Sequence, residues 1–201
     1  MRKTLSGRIK EHRFLHTLGV EKEIVKLGKI YLPQDILRLR AAALLHDVTK
    51  EYTTQEQLEL CRRYHLPVTE VDRLSPKIFH ARTAVGVIQD EFSAFADPVI
   101  LDAIAKHTTG AREMSLFAKL LYLADYIEET RTFDDCVMLR QAFWEPIFAL
   151  SQEERLAHLN RVLLRSFDMT IVSLLKEGCV IAPATIDSRN ALIEEINKHN
   201  P

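Results

Sequence analysis

Apolar residues recur at steps of three and four along almost the whole chain, the spacing of helices that bury one face. The pattern predicts a first helix over Ser6–Ile30, with Ile9, His16, Val20, Ile24 and Leu27 on one stripe. Pro33 breaks it, and a second helix runs from Gln34 to Asp47 through Ile36, Leu37, Leu44 and Leu45. A third, Thr54–Tyr64, opens at Thr54 and stops before Pro67. Ser75-Pro76 and Asp97-Pro98 each read as an N-cap followed by proline at the first helical position, opening the fourth and fifth helices. Gly110 closes the fifth as a residue just past its C-terminus. The sixth, Glu113–Glu128, is apolar nearly all round and is expected at the centre. A seventh, Asp134–Ala149, is expected to be irregular because Pro146 interrupts it. Ser151 with Glu154 forms a capping box for a long helix ending at Glu177-Gly178, and a last helix covers Asp187–Lys198 after Pro183. Only Cys179–Ala182 carries a strand-like signal.

The predicted class is therefore all-α: a single domain over residues 1–201, with a core at 6–130 and a C-terminal helical extension at 134–198. A chain of 201 residues buries a full core without disulfides or a structural metal. Six glycines, about 3% against a usual share of roughly 7%, argue against a turn-rich sandwich or barrel. Neither G-x-G-x-x-G nor G-x-x-x-x-G-K-[ST] occurs, so no glycine loop cradles phosphate. Lys and Arg number 27 against 28 Asp and Glu, interspersed, with no basic stripe for a nucleic-acid partner. Cys61, Cys136 and Cys179 are widely spaced, which excludes a disulfide framework and a C-x-x-C metal pair. No apolar core follows the charges of Met1–Arg8, and no apolar run approaches the ~20 residues of a membrane span. A cytoplasmic protein with no membrane partner is expected, and a homodimer is compatible with its surface.

The informative positions are polar residues placed where a helical core should not want them. His46-Asp47 closes the apolar run Ala41–Leu45, and Asp125 follows Leu121 by one turn on the most hydrophobic helix. His16 shares its stripe with Val20, Ile24 and Leu27; His80 shares a face with Ala84, Val87 and Ile88, and His107 with Ile100 and Ile104. A buried carboxylate costs several kcal/mol unless cations or strong donors compensate it. Singly, each residue has an ordinary reading: a core histidine bonded to a carbonyl, Asp47 as a partner of Lys50, Asp125 as a partner of an arginine. Taken together, four imidazoles and two carboxylates on core helices point to shared metal ions. Imidazole and carboxylate without thiolate suit Fe, Mn, Co or Zn in an open site. Six ligands are too many for one ion that also holds water or substrate, and the right number for two ions sharing a carboxylate. His12 lies four residues before His16 and competes for its role, whereas His65, His158 and His199 read as surface residues.

The order His16, His46-Asp47, His80, His107 and Asp125 resembles the HD-domain phosphohydrolase superfamily. Its local wording is similar to the YqeK family of bacterial HD proteins. The similarity rests on Arg13-x-x-His16-x-x-Gly19-Val20, Ala43–Lys50, His107-Thr108-Thr109-Gly110, Tyr122–Glu128 with Arg131-x-Phe133, and the tail Ile181–Asn190. It spans about Arg13 to Asn190. The resemblance implies an HD-domain helical bundle and symmetrical cleavage of diadenosine tetraphosphate into two ADP, with iron as the metal of such sites. The Arg13-to-Gly19 match selects His16 over His12. The chain departs from the family at His80-Ala81-Arg82-Thr83-Ala84, where an Arg and a Thr stand near the second metal position and bear on nucleotide preference.

A mechanism follows from the same residues. In it Asp47 would bridge two ions, with His16, His46 and Asp125 completing one site and His80 and His107 the other, and the ions would lower the pKa of a water that attacks phosphorus in line. Lys50 neutralises charge on the phosphoryl group, or simply sits as a cation at a helix C-terminus. Thr108, Thr109 and Gly110 offer hydroxyls and an amide to phosphates, or form a plain C-cap turn. Arg131 clamps a distal phosphate or is a surface arginine, and Arg82 is a further substrate candidate. The bare spacing serves equally a nucleotidase, a dNTP triphosphohydrolase or a phosphodiesterase; a non-catalytic, metal-stabilised nucleotide-binding protein is the reading from another class.

Overall fold

The computed structural model describes residues 1–198. His199 lies outside them. The described residues form helices and no strand: α1 (Arg2–Ser6), α2 (Glu11–Tyr31), α3 (Ile36–Leu45), α4 (Thr54–Arg63), α5 (Glu70–Leu74), α6 (Phe79–Glu91), α7 (Pro98–Lys106), α8 (Leu116–Ile127), α9 (Asp134–Ile147), α10 (Gln152–Lys176) and α11 (Pro183–Lys198). The expected all-α class is what the chain adopts. No described helix is long and apolar enough to cross a membrane.

Helix α8 is the axis of the fold. Phe117, Ala118, Leu120, Leu121, Leu123, Ala124 and Ile127 are all buried, so the helix must be enclosed on every side. Helices α2, α3 and α7 pack around it, α6 lies against α7, and α9 and α10 cover the remaining side with α11 against α10. Leu121 is fully buried in this core. Truncating it, Leu121→Ala, should cost about 2–5 kcal/mol, read as a lowered urea midpoint with an unchanged m-value.

Several boundaries differ from those the pattern predicts, for local reasons. The first predicted helix starts later than Ser6, at Glu11, and the unpredicted α1 precedes it: residues 7–10 are not helical, and there Arg8 pairs with Glu91 and donates to the Tyr52 hydroxyl at 2.8 Å, and the Lys10 amide donates to Glu51 at 2.7 Å. These tertiary anchors override a stripe that includes Ile9. Pro33–Asp35 is a 3-10 turn, so α3 starts later than Gln34 and ends before His46. Thr53, not Thr54, caps α4, in a reciprocal box with Glu56. A similar box between Thr69 and Asp72 creates the short α5, which the periodicity does not predict. Ser75-Pro76 opens a 3-10 turn ahead of α6, and Ser75 donates to the Val180 carbonyl rather than capping. Ser115 caps α8, which starts after Glu113. Pro146 falls in the last turn of α9, and the helix runs through it without the expected irregularity, because only one residue of the helix follows the lost bond to the Ala142 carbonyl. Pro183 begins α11, ahead of the predicted Asp187, and Cys179–Ala182 is an irregular link.

Candidate metal centre

His16 comes from α2, His80 from the first turn of α6, His107 from the end of α7 and Asp125 from the last turn of α8. His46 and Asp47 follow the last residue of α3. Ala42, Ala43 and Leu45 are fully buried and fix that helix end, and the backbone then turns through a Val48 N–H to Leu45 carbonyl bond. The turn aims two consecutive side chains at one point, which a continuing helix would have splayed by about 100°.

Asp47 lies between the four imidazoles. Its Oδ2 is 3.4 Å from His46 Nε2 and 3.7 Å from His16 Nε2, and accepts from Arg13 at 2.8 Å. Its Oδ1 is 3.2 Å from His80 Nε2 and 3.5 Å from His107 Nε2. Asp125 Oδ1 stands 3.0 Å from His16 Nε2 and 3.9 Å from His46 Nε2. Ligand atoms of His16, His46 and Asp125 lie within 4.8 Å of one another, as do those of His46, Asp47 and His107. The structure thus brings all six expected residues together, with the two oxygens of Asp47 facing different pairs of histidines.

The donor set fits a divalent metal. The Nδ1 atoms of His46, His80 and His107 sit 2.7 Å from the carbonyls of Ala43, Lys77 and Ile104, and His16 Nδ1 is 3.1 Å from Glu128 Oε1. Each ring therefore carries its proton on Nδ1 and offers the Nε2 lone pair to the centre, the arrangement of metal-binding imidazoles. Nε2 of His16 and of His46 is buried and makes no hydrogen bond. The Nε2 atoms of His80 and His107 face each other at 3.0 Å. Two facing lone pairs repel unless a cation stands with them.

The electrostatics agree with that reading. Burial would raise the Asp47 pKa, but the imidazoles of His46, His107 and His80 outweigh it and hold the carboxyl well below the usual carboxylate range. Burial likewise opposes ionisation of Asp125, and the Arg131 guanidinium and His16 overcome it. Burial depresses His16, yet Asp125 and Glu128 carry its pKa up to about 9, a negative field that favours any cation at Nε2. His80, more deeply buried and beside Lys50 and His107, is lowered to about 4 despite Asp47. Burial also lowers Lys50.

The substrate candidates divide. Lys50 Nζ is 3.2 Å from His80 Nε2, and Thr108 Oγ1 is 3.1 Å from the same atom. Arg131 donates to the Asp125 carboxylate and carbonyl, each at 2.7 Å, so it is tied to the centre. Arg82, by contrast, pairs with Asp72 at 3.2 Å and lines a separate cleft together with Thr109. Gly110 adopts φ +67°, and a Cβ there would lie 2.3 Å from Ser188 Oγ and 2.7 Å from Phe167, so it is a packing requirement. Thr83 joins Thr49 and Gln57 in a buried network whose Thr49 hydroxyl donates to the His80 carbonyl at 3.0 Å. His12 is exposed beside Glu51, and His65 is exposed. His158, expected on the surface, is instead half-buried and stacked on Phe143 at 5.5 Å.

Two contributors lie in the family-like segments of the sequence but carried no expected role there. Arg13 holds Asp47, and the fully buried Glu128 braces His16 while accepting from the Thr130 amide and hydroxyl, both at 2.6 Å. Gly19 makes this possible, since a Cβ there would lie 2.1 Å from Glu128 Oε2. A glycine one turn after a ligand histidine, on a buried helix face, was the available signal.

A helical scaffold that closes on a buried cluster of His and Asp, open to solvent along a cleft bordered by Arg13, Lys50 and Arg131, defines a helical protein with a donor set for a divalent metal. The HD-domain model matches residues 13–130, and the chain belongs to the HD-domain family. It is 31% identical over 91% of its length to the symmetrical bis(5′-nucleosyl)-tetraphosphatase of Bacillus subtilis (strain 168), covering 90% of that protein. It is 27% identical over 91% of its length to the protein of the same name from Staphylococcus aureus (strain NCTC 8325 / PS 47), covering 88% of it. Among solved structures, a "predicted HD superfamily hydrolase involved in NAD metabolism" from Clostridium acetobutylicum superimposes with a TM-score of 0.83 at 31% identity, covering 96% of this chain and 95% of that one.

Proposed function

We propose that this chain is a metal-dependent hydrolase that splits diadenosine tetraphosphate symmetrically into two ADP. The observation that carries the reading is the two-faced Asp47 among four imidazoles at the floor of a cleft lined by Arg13, Lys50 and Arg131. Support comes from the 31% identity to the Bacillus subtilis enzyme over nearly the whole chain. The chain acts as one unit: residues 6–130 form the metal-binding core and 134–198 back it.

In this reading His16, His46, Asp47 and Asp125 would hold one ion, and His80 and His107 with Asp47 would hold a second. Iron is the proposed native metal, with Mn, Co and Zn as ions the same donors accept. Bound divalent cations supply positive charge for the phosphates and lower the pKa of water toward neutrality. Arg13 keeps Asp47 ionised and oriented. Lys50, at the junction of the two clefts beside the centre, faces the phosphates and offsets charge that grows on the leaving diphosphate. Arg131, fixed by Asp125, presents its remaining donors to a phosphate, and the Thr108 hydroxyl donates from the His107 side.

The test is product identity across a panel. Diadenosine tetraphosphate, dNTPs, nucleoside monophosphates and a cyclic phosphodiester are incubated with metal-reconstituted protein and resolved by anion exchange. ADP as the sole product of the tetraphosphate supports the reading. AMP with ATP overturns symmetrical cleavage, and turnover confined to another substrate moves the assignment within the family. If Lys50 acts on charge rather than on metal retention, Lys50→Met lowers kcat by about 100-fold or more while metal content stays unchanged. Steady-state kinetics with elemental analysis on the same preparation check this.

A further inference from the structure

The cleft on the His16–Asp125 side has a volume of about 390 Å³, within the usual size of a small-molecule site, and Phe133 lines its mouth. The cleft on the His80 side is smaller, about 160 Å³, and is bordered by Lys50, Lys77, Gln57 and Tyr52, whose side chain is half-buried and whose hydroxyl accepts from Arg8. Phe133 is 70% exposed and makes no part of the hydrophobic core. It is the N-cap residue of α9 yet supplies no side-chain cap, so helix α9 does not explain its identity. An open phenyl ring beside charged groups leaves apolar area in water, which a planar apolar partner would remove.

The loop that carries Phe133 is held rigid. Arg140 donates to the carbonyls of Ile127 at 2.5 Å and Arg131 at 2.7 Å, and to that of Glu128. Thr130 is tied to Glu128, and Arg131 to Asp125. The ring therefore stands at a fixed place, two residues from a guanidinium that faces the metal centre. A pre-positioned platform loses little freedom when a ligand settles on it.

We infer that Phe133 is the base platform of this site: the adenine of one nucleoside stacks on its ring while the attached phosphates run past Arg131 and Lys50 toward Asp47. This rests on the proposed action on dinucleoside tetraphosphates. It makes the recognition one-sided, because Phe133 stands open at the larger cleft, whereas Tyr52 at the smaller one is half-buried and bonded to Arg8. Phe133 is then a substrate-binding residue that holds a nucleobase by its face and contributes to binding and not to the chemical step.

Two measurements test it. Phe133→Ala raises KM for diadenosine tetraphosphate by roughly 5- to 100-fold, the range for loss of one stacked base, with kcat changed less than twofold. Phe133→Tyr retains the wild-type KM. In the variant Phe133→Trp, ADP quenches the added indole fluorescence and pyrophosphate does not, with the wild type, whose one tryptophan is Trp144, as the blank. An unchanged KM in Phe133→Ala, or quenching by ADP and pyrophosphate alike, overturns the base platform while leaving the hydrolase reading standing. Failure of the wild type to release ADP from the tetraphosphate overturns the hydrolase reading instead, and quenching by ADP then decides the platform separately.

Discussion

Replacing Asp47 with alanine abolishes metal retention and turnover together. Both oxygens of this side chain are engaged, Oδ2 toward His16 and His46 and Oδ1 toward His80 and His107, and the residue is 3% exposed. No neighbouring carboxylate can take its place, since Asp125 reaches only the His16–His46 side. Loss of this carboxylate leaves the His80–His107 side with imidazoles alone, and in the proposed two-ion centre no anion would remain to be shared. Activity should fall by about 10³-fold or more, near the level of metal-free protein, and metal per chain should drop in step. Asp47→Asn separates charge from shape. It keeps the side-chain volume, leaves the fold intact by circular dichroism, and still loses the metal, because a neutral amide offers no anionic donor. Survival of activity in either variant would remove Asp47 from the centre.

The second large effect comes from a methyl group outside the ligand set. Gly19→Ala would place its Cβ 2.1 Å from Glu128 Oε2, so the carboxylate must leave its position. Glu128 is the partner of His16 Nδ1 at 3.1 Å, and its loss frees the imidazole to rotate and lowers its basicity. Metal affinity should weaken by about 10- to 100-fold, the usual cost of losing such a brace. Helix propensity acts in the opposite direction, since alanine within a helix is favoured over glycine by about 1 kcal/mol. A drop in metal affinity therefore reports the displaced carboxylate and not a weakened α2. The double-mutant cycle is the check: Glu128→Ala alone shows a similar loss, and adding Gly19→Ala to it costs nothing more. Additive losses by isothermal titration would mean that Gly19 acts by another route.

These two predictions also mark what was legible before the structure. The six central residues could be read because burying imidazoles and carboxylates in apolar helix stripes demands compensation, and that cost appears in one dimension as polar residues out of pattern. Glu128 could not. Beside Glu129 it resembles an exposed acidic pair, and its partner His16 is 112 positions away. Arg82 illustrates the converse: its position two residues after His80 drew it toward the site, but side chains two apart on a helix diverge by about 200°, and Asp72 holds it elsewhere. The long α10 was legible because Ser151 and Glu154 form a local capping box. The late start of α2 at Glu11 was not, because Arg8 and Lys10 are anchored by Glu91, Tyr52 and Glu51, contacts without local trace. Tertiary partners decide such boundaries, and periodicity does not carry them.

The most direct measurement is a metal titration read by product. Chelator-stripped protein receives Fe²⁺ anaerobically, or Mn²⁺, in steps from zero to four equivalents per chain, and ADP release from diadenosine tetraphosphate is followed at each step. The expected result is no turnover without metal, ADP as the sole nucleotide product, and a plateau at two equivalents. Full ADP release by metal-free protein, or AMP and ATP as the products, would contradict it.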